Sequence, residues 1–137
     1  EEKIRVLTAL ANFEEEQLLR ETLTRSLTEE VRVHDAVSVA GAVGSSPKGR
    51  DLAWGFLKDN WDEYNWRYGD GGFALMRLVS ITAGFASRER LDDVETFFRE
   101  HPTPAAERTL RQSLEAIRLN IAWLDQNRET LAIWLAG

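Results

Sequence analysis

Cysteine is absent from this chain of 137 residues, and proline occurs at only three positions. The first absence excludes disulfides, iron–sulfur clusters and thiolate zinc sites. Histidine is nearly as scarce: His34 and His101 are far apart, and neither begins an HExxH pair that would place two zinc ligands on one helical face. We therefore expect no metal, no cofactor and no catalytic residue in this chain.

Long apolar runs and a basic stripe are missing as well. A membrane span needs about 18 to 20 consecutive apolar residues, and the N-terminal residues Glu1 to Ile4 do not resemble a signal peptide. The net charge is −6, with arginine and lysine interspersed among acidic residues, so a nucleic-acid footprint is not visible. We expect no membrane and no nucleic-acid partner, and the lack of cysteine favours a cytoplasmic location.

Motifs for hydrolytic chemistry are also missing. The sequence contains no GxSxG nucleophile motif. Its acidic runs at 14–16, 29–30 and 92–93 are interpreted as solvated charges at helix ends. His34 is interpreted as a surface residue just before a helix, and His101 as one at a helix C-terminus. An independent small enzyme is therefore not indicated.

What the chain does contain is helical periodicity from end to end. The fold class expected is all-α, with residues 1–137 forming a single domain of seven or eight helices stacked as antiparallel pairs, HEAT-like or irregular. The predicted helices lie at 4–10, 14–27, 35–43, from near Lys48 to Gly69, from Phe73 onwards, from a Ser87 cap to His101, from a Thr103 cap through Leu124, and at 128–135.

The glycine turn at 69–72 and the helix after it hold the most informative pattern. Glycine permits a helix C-cap and a tight turn there, whereas a phosphate cradle lacks its motif. At 100° per residue, Leu75, Leu78, Val79 and Thr82 form the buried stripe, and Phe73, Arg77, Ser80 and Gly84 lie opposite. Either Phe73 packs under a loop with Arg77 in water, or this face lines a cavity completed by another domain.

An ordered set of aromatic, glycine, proline and asparagine positions resembles one family. The matching segments are 29–32 with 35–39, 53–61, 67–68 with 71–73, 77–78, 84–85, 94–98, 101–102, 107–109 and 120–124. In this order they resemble the C-terminal end of a puromycin-sensitive aminopeptidase. Such enzymes are HExxH zinc aminopeptidases, a family that includes aminopeptidase N and the endoplasmic-reticulum aminopeptidases. The resemblance covers most of the chain from about Leu27 to Leu135.

The resemblance implies a C-terminal part of a bowl-shaped helical domain that covers the catalytic domain. It implies zinc in the parent's catalytic domain, with that domain and peptide substrates as partners. It also implies that Tyr68, Asp70, Phe73 and Arg77 line the substrate chamber. Arg77 would then pair with an acidic side chain of the catalytic domain or with a peptide carboxylate.

Two further expectations concern the partners of this chain. The alternative to an aminopeptidase domain is a helical-repeat module that binds a protein partner and is unrelated to catalysis. If the chain is instead part of a bowl, its N-terminal helices lack their natural neighbours. We then expect the chain to dimerise at high concentration through the surface near Ile4, Leu7 and Leu10.

Overall fold

The described part of the chain is built from α-helices and two short 3-10 helices. The computed structural model describes residues 1–10, 15–70 and 72–137, and no strand occurs in these ranges. Its helices α1 to α8 are Glu2–Leu10, Glu16–Ser26, Val33–Val43, Pro47–Asp59, Trp61–Tyr68, Phe73–Ser80, Arg88–Glu100 and Glu107–Ala136, with 3-10 helices at Ile81–Gly84 and Pro104–Ala106. The all-α prediction is confirmed; the predicted start at Glu14 lies outside the described residues.

A break at Asn60 divides the single helix that was predicted from Lys48 to Gly69. Helix α4 starts where Ser46 Oγ accepts a hydrogen bond from Gly49 N (3.1 Å) and Pro47 takes the first helical position. It stops because Asn60 leaves helical dihedrals and its side-chain amide donates to the Phe56 carbonyl. The predicted apolar face survives the break and is buried on both helices, apart from Phe56, which is half-buried.

Helix α8 differs from its prediction at both ends. Thr103 precedes the 3-10 turn at its N-cap position and Pro104 follows at the start of the turn, as predicted, but Thr103 Oγ1 donates to the His101 carbonyl (2.9 Å) and makes no side-chain cap. The turn at Pro104–Ala106 precedes the helix, which begins at Glu107. It then continues for 30 residues to Ala136, because neither proline nor glycine interrupts it. The separate helix predicted at 128–135 is therefore the end of α8.

Helix α7 begins as predicted. Ser87 Oγ accepts from Arg90 N at 3.2 Å, which confirms the cap. His101 ends this helix, and its ring stacks on Phe97 with centroids 4.2 Å apart. His34 is exposed, as expected, but it lies inside α3 rather than just before a helix.

The hydrophobic core has a large and a small part. The large part contains Trp54, Leu57, Trp61 and Phe97 and draws residues from α2 to α8. The small part joins α1 to α3 through Leu7, Val31 and Val39. Leu7 is only 6% exposed and Ile4 and Leu10 pack beside it, so the expectation that Leu7 contributes to an exposed dimerisation surface is wrong. Dimerisation itself stays a prediction.

Consecutive helices contact one another from α1 to α6, and α7 packs on α8. The first 3-10 helix is held under α8, where Asn120 Nδ2 donates to the carbonyls of Ala83 (3.1 Å) and Phe85 (3.0 Å). Regular HEAT-like stacking of these pairs stays a prediction. Within the described ranges, none of the helices combines the length and apolar character that crossing a bilayer requires.

Candidate functional site

Helix α6 has one buried face and one exposed face. It starts after Gly72, whose φ of 97° is a conformation that glycine adopts without a steric penalty. Leu75, Leu78 and Val79 are at most 1% exposed, and Thr82 continues this face into the 3-10 helix. On the opposite side, Phe73 is 85% exposed and Arg77 is also exposed. The helical-wheel prediction for this segment is confirmed.

The four predicted chamber residues do not all share one face. Tyr68 is 7% exposed and stacks on Tyr64 with ring centroids 6.4 Å apart, so it lies in the large core cluster. Asp70 is exposed in the turn after α5, while Phe73 and Arg77 lie on the exposed face of α6. The structure therefore places Phe73 and Arg77 on one exposed helical face, whereas Tyr68 is buried in the core. Their role in a chamber stays a prediction.

Arg67 is a largely buried cation that the sequence pattern did not single out as functional. Its side chain is 11% exposed, its Nε donates to Glu63 Oε1 (2.6 Å) and its Nη2 donates to the Leu27 carbonyl (2.9 Å). These bonds fix the end of α5 against the end of α2. Burial raises the pKa of Tyr68, although the Arg67 guanidinium acts in the opposite direction. Arg67 is therefore part of a structural junction between α5 and α2.

A concavity of about 300 Å³ lies beside Arg77. It is named here the arginine pocket, and its lining residues are Gly41, Gly44, Ser45, Arg50, Arg77, Ser80, Ile81 and Gly84. Arg50 reaches it from α4, where its Nη1 donates to the Gly84 carbonyl at 3.1 Å. Sequence reasoning missed Arg50. It lies on α4 whereas Arg77 lies on α6, and helical periodicity relates residues only within one helix.

An ion-pair network ties α4 to α7. Asp93 accepts from Trp54 Nε1 (2.7 Å) and from Lys58 Nζ (2.8 Å). Burial alone would raise the pKa of Asp93, but the hydrogen bonds from Lys58 and Trp54, with the nearby charges of Lys58 and Arg90, hold it below its ordinary value. The interpretation of 92–93 as a solvated run at a helix end is therefore wrong for Asp93, which lies within α7.

Throughout the described ranges, no three or more histidine, aspartate or glutamate side chains come together in a group that could hold a metal. The exposed face of α6 offers the Phe73 ring and the Arg77 guanidinium, and the arginine pocket beside it adds the Arg50 guanidinium from α4 and glycine backbone.

Comparison with known proteins connects this helical architecture to a family. The sequence profile described as "ERAP1-like C-terminal domain" matches residues 1–119. The chain belongs to this family. The match includes α1 to α7, the arginine pocket and the first part of α8, which confirms the resemblance to the C-terminal helical domain of aminopeptidases.

Several curated proteins resemble this ERAP1-like C-terminal domain. Aminopeptidase M1-C of Oryza sativa subsp. japonica is 35% identical over 125 residues, which are 91% of this chain and 14% of that protein. Aminopeptidase M1 of Arabidopsis thaliana is 35% identical over 126 residues, again 91% and 14%. Endoplasmic reticulum aminopeptidase 2 of Bos taurus is 30% identical over 137 residues, 98% and 14%. The chain thus spans about one seventh of the length of these relatives.

Proposed function

We propose that this chain is the non-catalytic C-terminal domain of a zinc-dependent aminopeptidase, a metallopeptidase that removes N-terminal residues from peptides. In the parent protein it covers the active site, and the exposed face of α6 lines the substrate chamber. The zinc and the residues that cleave the peptide belong to the catalytic domain of the same polypeptide. The family match and the names of the relatives support this proposal.

The observation that carries the proposal is the exposure of Phe73 and Arg77 on one side of α6. A phenylalanine that is 85% exposed beside an arginine is a suitable wall for a peptide-binding space, because it offers an apolar surface and a cation together. Asp70 adds a carboxylate at the turn, and Tyr68 supports the turn from within the core. This chain has no cysteine and so no disulfide, which fits a reducing compartment, and we therefore place the parent in the cytoplasm.

The test uses a full-length gene product that contains this chain, beside the chain alone. Turnover of aminoacyl-coumarin substrates and zinc content are measured for both. Activity and about one zinc only in the longer protein support the proposal. Absence of activity and zinc in both would favour the alternative, a helical-repeat interaction module. Activity in the chain alone would overturn both readings.

The chamber role is tested by Arg77→Ala in that full-length protein. We expect kcat/KM for peptides with an acidic residue to fall about tenfold, since a charge-assisted bond is lost. The free energy of unfolding should change by no more than about 0.5 kcal/mol, as is usual for a surface substitution. Arg99→Ala is the matched control, because Arg99 is exposed on α7 and does not line the arginine pocket. Unchanged kinetics across several peptides would contradict the proposal that Arg77 lines the substrate chamber.

A further inference from the structure

We propose that two copies of this chain pair through the distal half of α8, residues 122–136, as two antiparallel helices. The contact surface is the apolar stripe formed by Leu124, Arg128, Leu131 and Leu135, which is named here the distal stripe. The proposed function assigns no role to this surface. It is also distinct from the surface on α1 near Ile4.

The distal stripe continues a longer stripe that runs along α8. Its positions alternate by four and three residues, at 110, 114, 117, 121, 124, 128, 131 and 135, and all but position 128 are leucine or isoleucine. This heptad spacing keeps one side of a helix facing a partner helix. The core of this chain covers the first half, where Ile117 and Ile121 are buried. Beyond it, Leu124 is 37% and Leu135 is 75% exposed, and Leu131 is half-buried.

The length of the distal half suits an antiparallel partner. In a two-fold pair, Leu124 lies opposite Leu135 of the second copy, and Arg128 lies opposite Leu131. In this register Ile121 of the second copy lies just beyond Gly137. Each core therefore begins where the helix of the other copy ends. A parallel partner would bring both cores to the same end of the contact, where each core would overlap the helix of the other copy.

The charge on Arg128 favours the same orientation. Arg128 is the single charged residue of the distal stripe, and in a parallel pair of equal register the two Arg128 guanidinium groups would face each other and repel. In the antiparallel pair, the aliphatic part of Arg128 covers a leucine of the second copy. Its guanidinium stays beside Asp125 of its own helix, where Nη2 lies 3.4 Å from Asp125 Oδ1.

The charges of the distal half favour a second helix over a lipid surface. Helices that lie on membranes are rich in lysine and arginine on their polar face. Residues 122–136 carry Asp125 and Glu129 against Arg128 alone, so their net charge is negative. A second copy is the occupant whose stripe matches in both length and register.

The dimer should be weak. The contact is about 22 Å long and one helix wide, which places the buried area below about 1,200 Å², in the range of transient associations. We expect a dissociation constant on the order of 100 μM, so that the chain is mostly monomeric below about 10 μM. The distal half of α8 is then uncovered at low concentration and covered at high concentration.

Sedimentation equilibrium of the chain, from about 10 μM to about 1 mM, tests the association. We expect a reversible equilibrium between monomer and dimer. Leu131→Glu should weaken it at least about tenfold, because a carboxylate would be buried against leucine. Ile133→Glu is the matched control, since Ile133 is 74% exposed on the same helix but outside the distal stripe. It adds the same charge and should leave the dimer unchanged.

The orientation is tested by the distance between two spin labels. Because the chain has no cysteine, Leu119→Cys provides a single attachment site on the exposed side of α8. An antiparallel pair separates the two labels by about 31 Å along the helix axis, whereas a parallel pair places them at the same level. Arg128→Leu removes the charge from the distal stripe and should tighten the dimer about tenfold.

Four results would overturn the inference, and thermal melting shows that each variant is folded. They are a chain that stays monomeric to about 1 mM, equal weakening by Leu131→Glu and Ile133→Glu, and labels at the same level along the axis. The fourth is a dimer that survives Leu131→Glu but is lost with Ile4→Glu, which would assign the association to α1. Binding to phosphatidylcholine vesicles in place of self-association would assign the distal stripe to a lipid surface and equally refute the pairing.

Discussion

Glycine at position 84 shows how one missing side chain shapes the molecule. The guanidinium of Arg50 occupies the volume that a β-carbon would fill, so the residue type decides where a charge 34 positions earlier can lie. Gly41 on the same pocket is different, because a β-carbon there would meet nothing within 4 Å. These two glycines therefore have different expected responses to the same substitution.

We predict that Gly41→Ala raises the free energy of unfolding by about 0.5 to 1 kcal/mol, since alanine is the better helix former and no atom must move. Gly84→Ala should give no gain, because the new methyl group displaces the Arg50 guanidinium and breaks its bond to the backbone. Thermal melting of both variants measures the difference. Equal stabilisation of the two variants would contradict the contact between Arg50 and Gly84.

Asp93 illustrates the limits of sequence reasoning at the residue scale. The pair 92–93 looked like solvated charge, yet Asp93 accepts bonds from Trp54 and Lys58 across two helices. Local pattern gives no sign of a partner about 35 positions away. The same holds for Arg50 and Arg77. By contrast, the exposed face with Phe73 and Arg77 was predictable, because it depends only on spacing within one helix.

We predict that Asp93→Asn lowers the free energy of unfolding by about 1 to 2 kcal/mol at neutral pH, since the charge-assisted bond to Lys58 is lost. The folded-state pKa of Asp93 is lowered from 3.8, so its stabilising effect is complete well above that pH. It disappears as pH falls below 3.8 through the folded-state pKa. The difference between wild type and variant should therefore shrink in acid.

The matched control for this measurement is Asp92→Asn, the adjacent and exposed residue with the same change of charge. Denaturant unfolding at neutral and acidic pH compares the two variants. If Asp92→Asn destabilises the chain as much as Asp93→Asn, net charge is responsible and the network is not.

At the scale of elements, periodicity and capping residues predicted most of the helices. The stripe of α6, the Ser87 cap of α7 and the apolar face of α4 and α5 all depend on residues within one or two turns. The errors lie where a side chain bonds to a nearby backbone carbonyl. Asn60 donates to the Phe56 carbonyl where α4 ends, and Thr103 donates to the His101 carbonyl instead of making a side-chain cap. Neither bond can be identified from residue type alone.

Helix α8 is anchored at one end only. Its buried residues are Ser113, Ile117 and Ile121, and Asn120 holds the 3-10 helix beside them. Beyond Ile121 the large apolar residues Trp123, Leu124, Ile133, Trp134 and Leu135 are all exposed. At 1.5 Å per residue, the 15 residues from Ala122 to Ala136 extend about 22 Å past the core.

We predict that backbone amides of 125–136 exchange with solvent at least about a hundredfold faster than those of 113–121, because little tertiary contact supports them. Hydrogen exchange with peptide-level detection measures the contrast within one helix. Equal protection of the two halves would show that the distal half is covered in solution.

At the scale of the whole molecule, the two hydrophobic clusters differ greatly in size. The large cluster draws on seven of the helices, whereas α1 is joined to the rest mainly through Leu7 and its two partners, Val31 and Val39. Elements with few buried contacts open at a smaller free-energy cost than the global unfolding of the domain. Helix α1 is thus the element most weakly tied to the large cluster.

This weak attachment determines how two copies of the chain could associate through α1. Because Leu7 is buried in the folded monomer, the surface formed with Ile4 and Leu10 is complete only after α1 has detached. Association by this route is coupled to a local opening step. At high protein concentration its rate would then approach the rate of that opening, so that dimer formation would saturate with concentration and accelerate steeply on warming.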